Sequence, residues 1–116
     1  MSMASDELAD RIRLQLATAA DISERKMMGG LVFLWHGNML VGTIKDGGML
    51  VRCGKGAYAK TVELPGAAPM DFTGRTMSGF VLVAGDAIED DDRLAQWIEI
   101  AREFVATLPP KQAAGG

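Results

Sequence analysis

The chain has 116 residues, of which 48% are hydrophobic and 23% charged, a composition typical of one soluble globular domain that can bury a single core. Its net charge is −3, and its one cysteine cannot close an intrachain disulfide, so a reducing, cytoplasmic setting is expected. The acidic start MSMASDELADRI lacks the apolar stretch of a signal peptide, and no apolar run approaches the roughly 18 residues needed to span a membrane, so no membrane association is expected.

In chain order, SDELADRIRLQLATAA predicts a helix with Ser5 as N-cap, Asp6 and Glu7 in the first turn, and Leu8, Ile12 and Leu16 as an apolar stripe. After RKMMGG come three short apolar runs, LVFLW, MLVGTI and MLVRC, separated by HGN and KDGG. Gly-Asn and Asp-Gly accept the positive φ of tight hairpin turns, so three antiparallel strands are predicted. GKGAYAKTVELPG predicts a short helix ended by Pro65 and Gly66, and PMDFTG and GFVLVAG predict two more strands. The last element is a helix over DDDRLAQWIEIAREFVATLPP, with Leu94, Trp97, Ile98, Ala101, Phe104, Val105 and Leu108 on one face. The order α-β-β-β-α-β-β-α predicts an α+β fold with a five-stranded antiparallel sheet and flanking helices. A single domain is expected over residues 5–109, followed by a disordered tail, 110–116.

LVFLW and GFVLVA are apolar at successive positions, so both faces of the sheet want cover. Two long helices can shield one face; a second copy of the chain would shield the other, which makes a homodimer an expectation. Charge is uneven: residues 25–75 hold seven basic against three acidic residues, while residues 1–24 and 76–116 are net acidic. A basic middle can steer an anionic ligand.

GGMLVRCGKG, with its glycines, Arg52, Cys53 and Lys55, invites three chemical readings. A phosphate loop fails, because five residues separate Gly48 from Gly54 and Gly56, not a hydroxyl residue, follows Lys55. A nucleophile at Cys53 needs a base, and His36 is the only histidine. Both end strands at one edge of the predicted sheet, but two strand spacings, on the order of 9–10 Å, separate them. Cys53 shares parity with Met49 and Val51 and is read as a core residue, and His36 as a turn residue. One His and one Cys make no metal-ligand pattern, and Glu89, Asp90, Asp91 and Asp92 are explained by helix capping. Asp71 has no carboxylate partner in its strand for acid–base work. Tyr58, near Lys55 and Lys60, is the one exposed stacking candidate for nucleic acid, a reading that is not favoured. The methionines, among them Met27, Met28, Met39, Met49, Met70 and Met77, are read as core filler.

KMMGGLVFLWHGNMLVG, MLVRCGKGAYAK, PMDFTGRTMSGFVLV and LAQWIEIAREFVATLPPK, in that order, resemble the N-terminal domain of the TfoX/Sxy family. The resemblance runs from about residue 8 to Lys111; PMDFTGR followed by Met and Gly-Phe is its most specific block, and Met27-Met28-Gly29-Gly30 departs from the family's Met-aromatic-Gly-Gly. It implies an α+β, secretion-chaperone-like fold in a stand-alone domain similar to one found in co-activators of competence genes. No catalytic set, cofactor or metal comes with it. The positions matching the family's polar signature are Arg52, Gly54, Asp71, Gly74 and Arg75. Gly29, Gly30, Gly54 and Gly74 are expected to supply turn conformations. An Arg52–Asp71 or Arg75–Asp71 ion pair would lock neighbouring strands; alternatively Arg52, Lys55 and Arg75 form an anion or partner site.

The expected function is therefore a non-enzymatic regulatory or protein-interaction domain with an unknown protein partner, a possible homodimer. The first alternative is a nucleic-acid or anionic-ligand binder using Arg52, Lys55, Tyr58 and Arg75. The second is an enzyme using Cys53 and His36.

Overall fold

The computed structural model describes residues 3–27, 30–44, 46–72 and 74–111. Helix α1 spans Met3–Gln15, followed by strands β1 (Ile22–Met27), β2 (Gly30–Trp35), β3 (Asn38–Thr43) and β4 (Met49–Arg52). Helix α2 (Lys55–Thr61), strands β5 (Ala67–Phe72) and β6 (Arg75–Val83), a 3-10 turn at Gly85–Ala87 and helix α3 (Asp91–Val105) complete the order. The fold is α+β, with all strands in one antiparallel sheet ordered β1-β2-β3-β4-β6-β5. The sheet has six strands where five were expected. The additional one, β1, reads ISERKM, whose charged residues give no apolar alternation. It is an edge strand, and its charges suit an edge that must not pair with other chains.

Two layers build the core. Phe33, Val41, Val51 and Val81 face one another across β2, β3, β4 and β6, and all four are fully buried. Leu8, Ile12 and Leu16 from the α1 segment and Leu94, Trp97, Ile98, Ala101 and Val105 from α3 close over that row. The register shifts between Phe33 and Leu34, leaving Leu40 as an extra residue in β3. This bulge lets the consecutive residues Leu40 and Val41 both be buried.

Local starts and stops follow the sequence with some corrections. Ser5 does not cap α1; the helix already runs from Met3, and Ser5 is buried within it. Asp90 does cap α3, its Oδ1 accepting from the amides of Asp92 (2.7 Å) and Arg93 (3.3 Å). The β2–β3 turn is made by His36 and Gly37, both at positive φ (51° and 80°), rather than by Gly-Asn. Asn38 belongs to the strand, buried, because its amide donates to the Pro109 carbonyl at 3.0 Å. The Lys111 amide donates to the His36 carbonyl at 2.7 Å, so the segment after α3 is clasped to this turn. Gly29 and residues 112–116 of the expected tail lie outside the described residues. No helix among the described residues is long and apolar enough to cross a membrane.

Candidate functional site

The site begins with a close approach of two backbones. The amides of Cys53 and Gly54 both donate to the Gly79 carbonyl, each at 3.0 Å, strapping the end of β4 to the middle of β6. Gly54 has φ 81°, and a Cβ there would overlap the ring of Phe104. Only glycine lets the chain turn from β4 into α2 so tightly against α3. The turn sets Arg52 and Lys55 beside the exposed first half of β6, where Arg75 begins the strand. Arg52, Lys55 and Arg75 thus line one cleft of about 800 Å³, together with Phe80 and Phe104. Three of the four site residues expected from the sequence meet there.

The Arg52 guanidinium lies over two aromatic rings, 5.8 Å from the centre of Phe80 and 5.4 Å from that of Phe104. Its Nη1 donates to the Met39 carbonyl across a long 3.4 Å. The expected ion pairs with Asp71 do not form. Asp71 Oδ1 instead accepts from the hydroxyl of Thr76, its cross-strand partner, at 2.8 Å. Ion pairs among the described residues join Arg11 to Asp91 and Arg13 to Asp10 and Glu24, while His36 Nδ1 meets Asp21 in a hydrogen bond. Arg52, Lys55 and Arg75 are in none of them, and no carboxylate is among the cleft's described lining residues.

Asp71 belongs to an adjoining groove of about 400 Å³, which shares Met77 and Phe80 with the cleft. This groove occupies the face of the sheet opposite the helices. Val32, Gly42, Leu50 and Leu82 are aligned across its floor, and Met39 and Met70 flank them. No helical residue is among its described lining residues. The reading of the methionines as core filler holds for Met49, which is fully buried, and fails for three others. Met39 and Met70 are half-buried on the open face, and Met77 is among the exposed large hydrophobic residues. The signal that could have found this groove was the unbroken apolar run in LVFLW and GFVLVA, which demanded a second covering.

The remaining glycines and titratable groups sort as follows. Gly74, at φ 78°, makes the β5–β6 turn, whereas Gly30 sits within β2, where a Cβ would collide with the Thr43 carbonyl. Gly30 therefore serves close approach and not a turn. Cys53 is buried in the core, its thiol donating toward the carbonyls of Gly54 (3.5 Å) and Gly79 (3.6 Å). Burial pushes its pKa up, which opposes thiolate formation. His36 Nδ1 lies 2.8 Å from Asp21 Oδ2 instead. Tyr58 packs half-buried against the core and does not line the cleft. No three His, Cys, Asp or Glu side chains among the described residues are placed to hold a metal ion.

Residues 14–105 match the TfoX N-terminal domain. The chain belongs to that family. The matched span contains β1 to β6 and α3, and so every residue lining the cleft and the groove of this TfoX N-terminal domain. No curated protein and no solved structure matches the chain.

Proposed function

We propose that this TfoX N-terminal domain is a cytoplasmic, regulatory protein-interaction module without chemistry of its own, and that its partner docks on the open face of the sheet. One observation carries the reading: half-buried Met39, Leu50, Met70, Phe80 and Leu82 form an apolar floor with no helical residue among its described lining, continuous with a cleft whose cations join no ion pair among the described residues. Apolar surface rimmed by charge is the usual anatomy of a protein contact. The membership in a family resembling transcriptional co-activators supports the regulatory part.

A photoreactive amino acid placed at Leu50 or Leu82, in cells producing the protein, is expected to give an adduct of defined mass. The same group at Leu14, 78% exposed on α1, is expected to give none. An adduct of twice the chain mass would identify a second copy as the occupant. Identical adducts at all three positions, or none at any, would overturn the reading.

A second reading, anionic-ligand or nucleic-acid binding, is favoured by the meeting of Arg52, Lys55 and Arg75 in one cleft.

A further inference from the structure

We infer that the open face selects an acidic peptide segment carrying large apolar side chains; this inference rests on the interaction reading above. The cleft and the groove are one surface of two chemistries, joined at Met77 and Phe80. At one end stand Arg52, Lys55 and Arg75, with no carboxylate among the described lining residues to neutralise them. At the other end the lining is mostly apolar, with Asp71 the single charge among the described lining residues. An occupant that satisfies both ends carries carboxylates beside leucine- or phenylalanine-like side chains. Arg52 is prepared for this contact. Phe80 and Phe104 hold its guanidinium in place, so little side-chain freedom remains to be lost on binding, and a planar guanidinium accepts a carboxylate through two parallel bonds.

Two other occupants fit less well. A nucleic acid needs cations that follow its backbone and aromatic faces on which bases stack. Here, among the described lining residues, the cations stop at the cleft, the surface continues through Val32, Leu50 and Leu82, and Tyr58 lies outside it. A second copy would bring, among its described lining residues, only Asp71 to meet Arg52, Lys55 and Arg75, so an isologous contact would leave a surplus of positive charge without partners.

The test uses the full chain and labelled synthetic peptides of about twelve residues, long enough at roughly 3.3 Å each to cross the molecule's 36 Å longest extent. One peptide mixes Glu and Asp with Leu and Phe; a second replaces the acids by Lys; a third replaces the apolar residues by Ser. A labelled oligothymidylate of about the same length is the fourth probe. The acidic-apolar peptide is expected to bind and to shift the methyl signals of Met39, Leu50, Met70 and Leu82. Arg75→Glu, at an exposed position, and Leu50→Ser, at a half-buried one, are each expected to weaken binding by about tenfold or more. Circular dichroism checks that both remain folded.

Equal or tighter binding of the Lys peptide at the same methyls would overturn the acidic preference while leaving the interaction surface intact. Tighter binding of oligothymidylate would reassign the site to nucleic acid. Self-association abolished by Leu50→Ser would reassign it to a second copy. Failure of every peptide to bind would overturn the inference alone, since the photo-crosslinking outcome is independent of these probes.

Discussion

Arg52 and Gly54 bracket Cys53, and the geometry of this short stretch explains why the cysteine between them is buried while its neighbours form a surface. Strand parity turns Cys53 into the core and Arg52 out of it, and the buried Met49 and Val51 against half-buried Leu50 and Arg52 show the same alternation. That much was legible in MLVRC. The partner of Arg52 was not, because the attraction expected from Asp71 competes with rings contributed by β6 and α3, which no short-range pattern brings together. Gly54 holds that arrangement. Replacing it with Ala strains a backbone at φ 81° and drives a methyl group into Phe104. Gly54→Ala is expected to lower unfolding stability by roughly 1–3 kcal/mol, read as a lower urea midpoint at an unchanged slope. An unchanged midpoint would show that Phe104 moves aside freely.

One sheet edge shows where reading elements from sequence stops. β2, β3, β4, β6 and the other edge, β5 from PMDFTG, were found, whereas β1 was hidden by its own charges. What fixes β1 in part is a long-range pair that polarity alone does not announce. Arg13, near the end of α1, donates to both carboxylate oxygens of Glu24 at 2.7 and 2.8 Å. This contact holds the Glu24 carboxyl below its ordinary pKa, with the hydrogen bond from Arg13 the main cause. A carboxylate whose folded pKa is depressed adds stability that is present above the unfolded value, about 4.3, and is lost as pH falls through the folded value. Both side chains are partly solvent-exposed, so the pair contributes only about 0.2–1 kcal/mol. Glu24→Gln is expected to lose that amount at neutral pH and nothing below the folded pKa. Chemical denaturation across that range measures it; a loss that persists at low pH would mean the substitution disturbs packing instead. The bulge at Leu40 was equally hidden, since an extra residue in an apolar strand looks like any other apolar residue.

At the scale of the molecule, one helical layer and one sheet account for the buried core, and among the described residues the second face of the sheet stays open. The demand for cover was readable in the strands; what provides it was not, because a partner leaves no periodicity in the chain it binds. The chain is nevertheless closed on itself at its last described residues. Asn38, buried, gives its amide to Pro109, and the Lys111 amide bonds to His36. Asn38→Ala removes the first of these bonds, at a cost of about 1 kcal/mol. Its expected signature is faster amide hydrogen exchange at Lys111 with core amides in β4 and β6 unchanged; equal acceleration everywhere would mean that Asn38 supports the core and not the clasp.

The clasp also fixes a point of departure. β3 starts at Asn38 and its antiparallel neighbour β4 finishes at Arg52, so the His36 turn and the cleft lie at the same end of the sheet. Any reporter, purification tag or further domain joined after Lys111 leaves from that end. A bulky fusion there would shade the cleft, whereas a tethered peptide would be presented to it at high effective concentration. The attachment point thus decides whether a fusion blinds the surface or loads it.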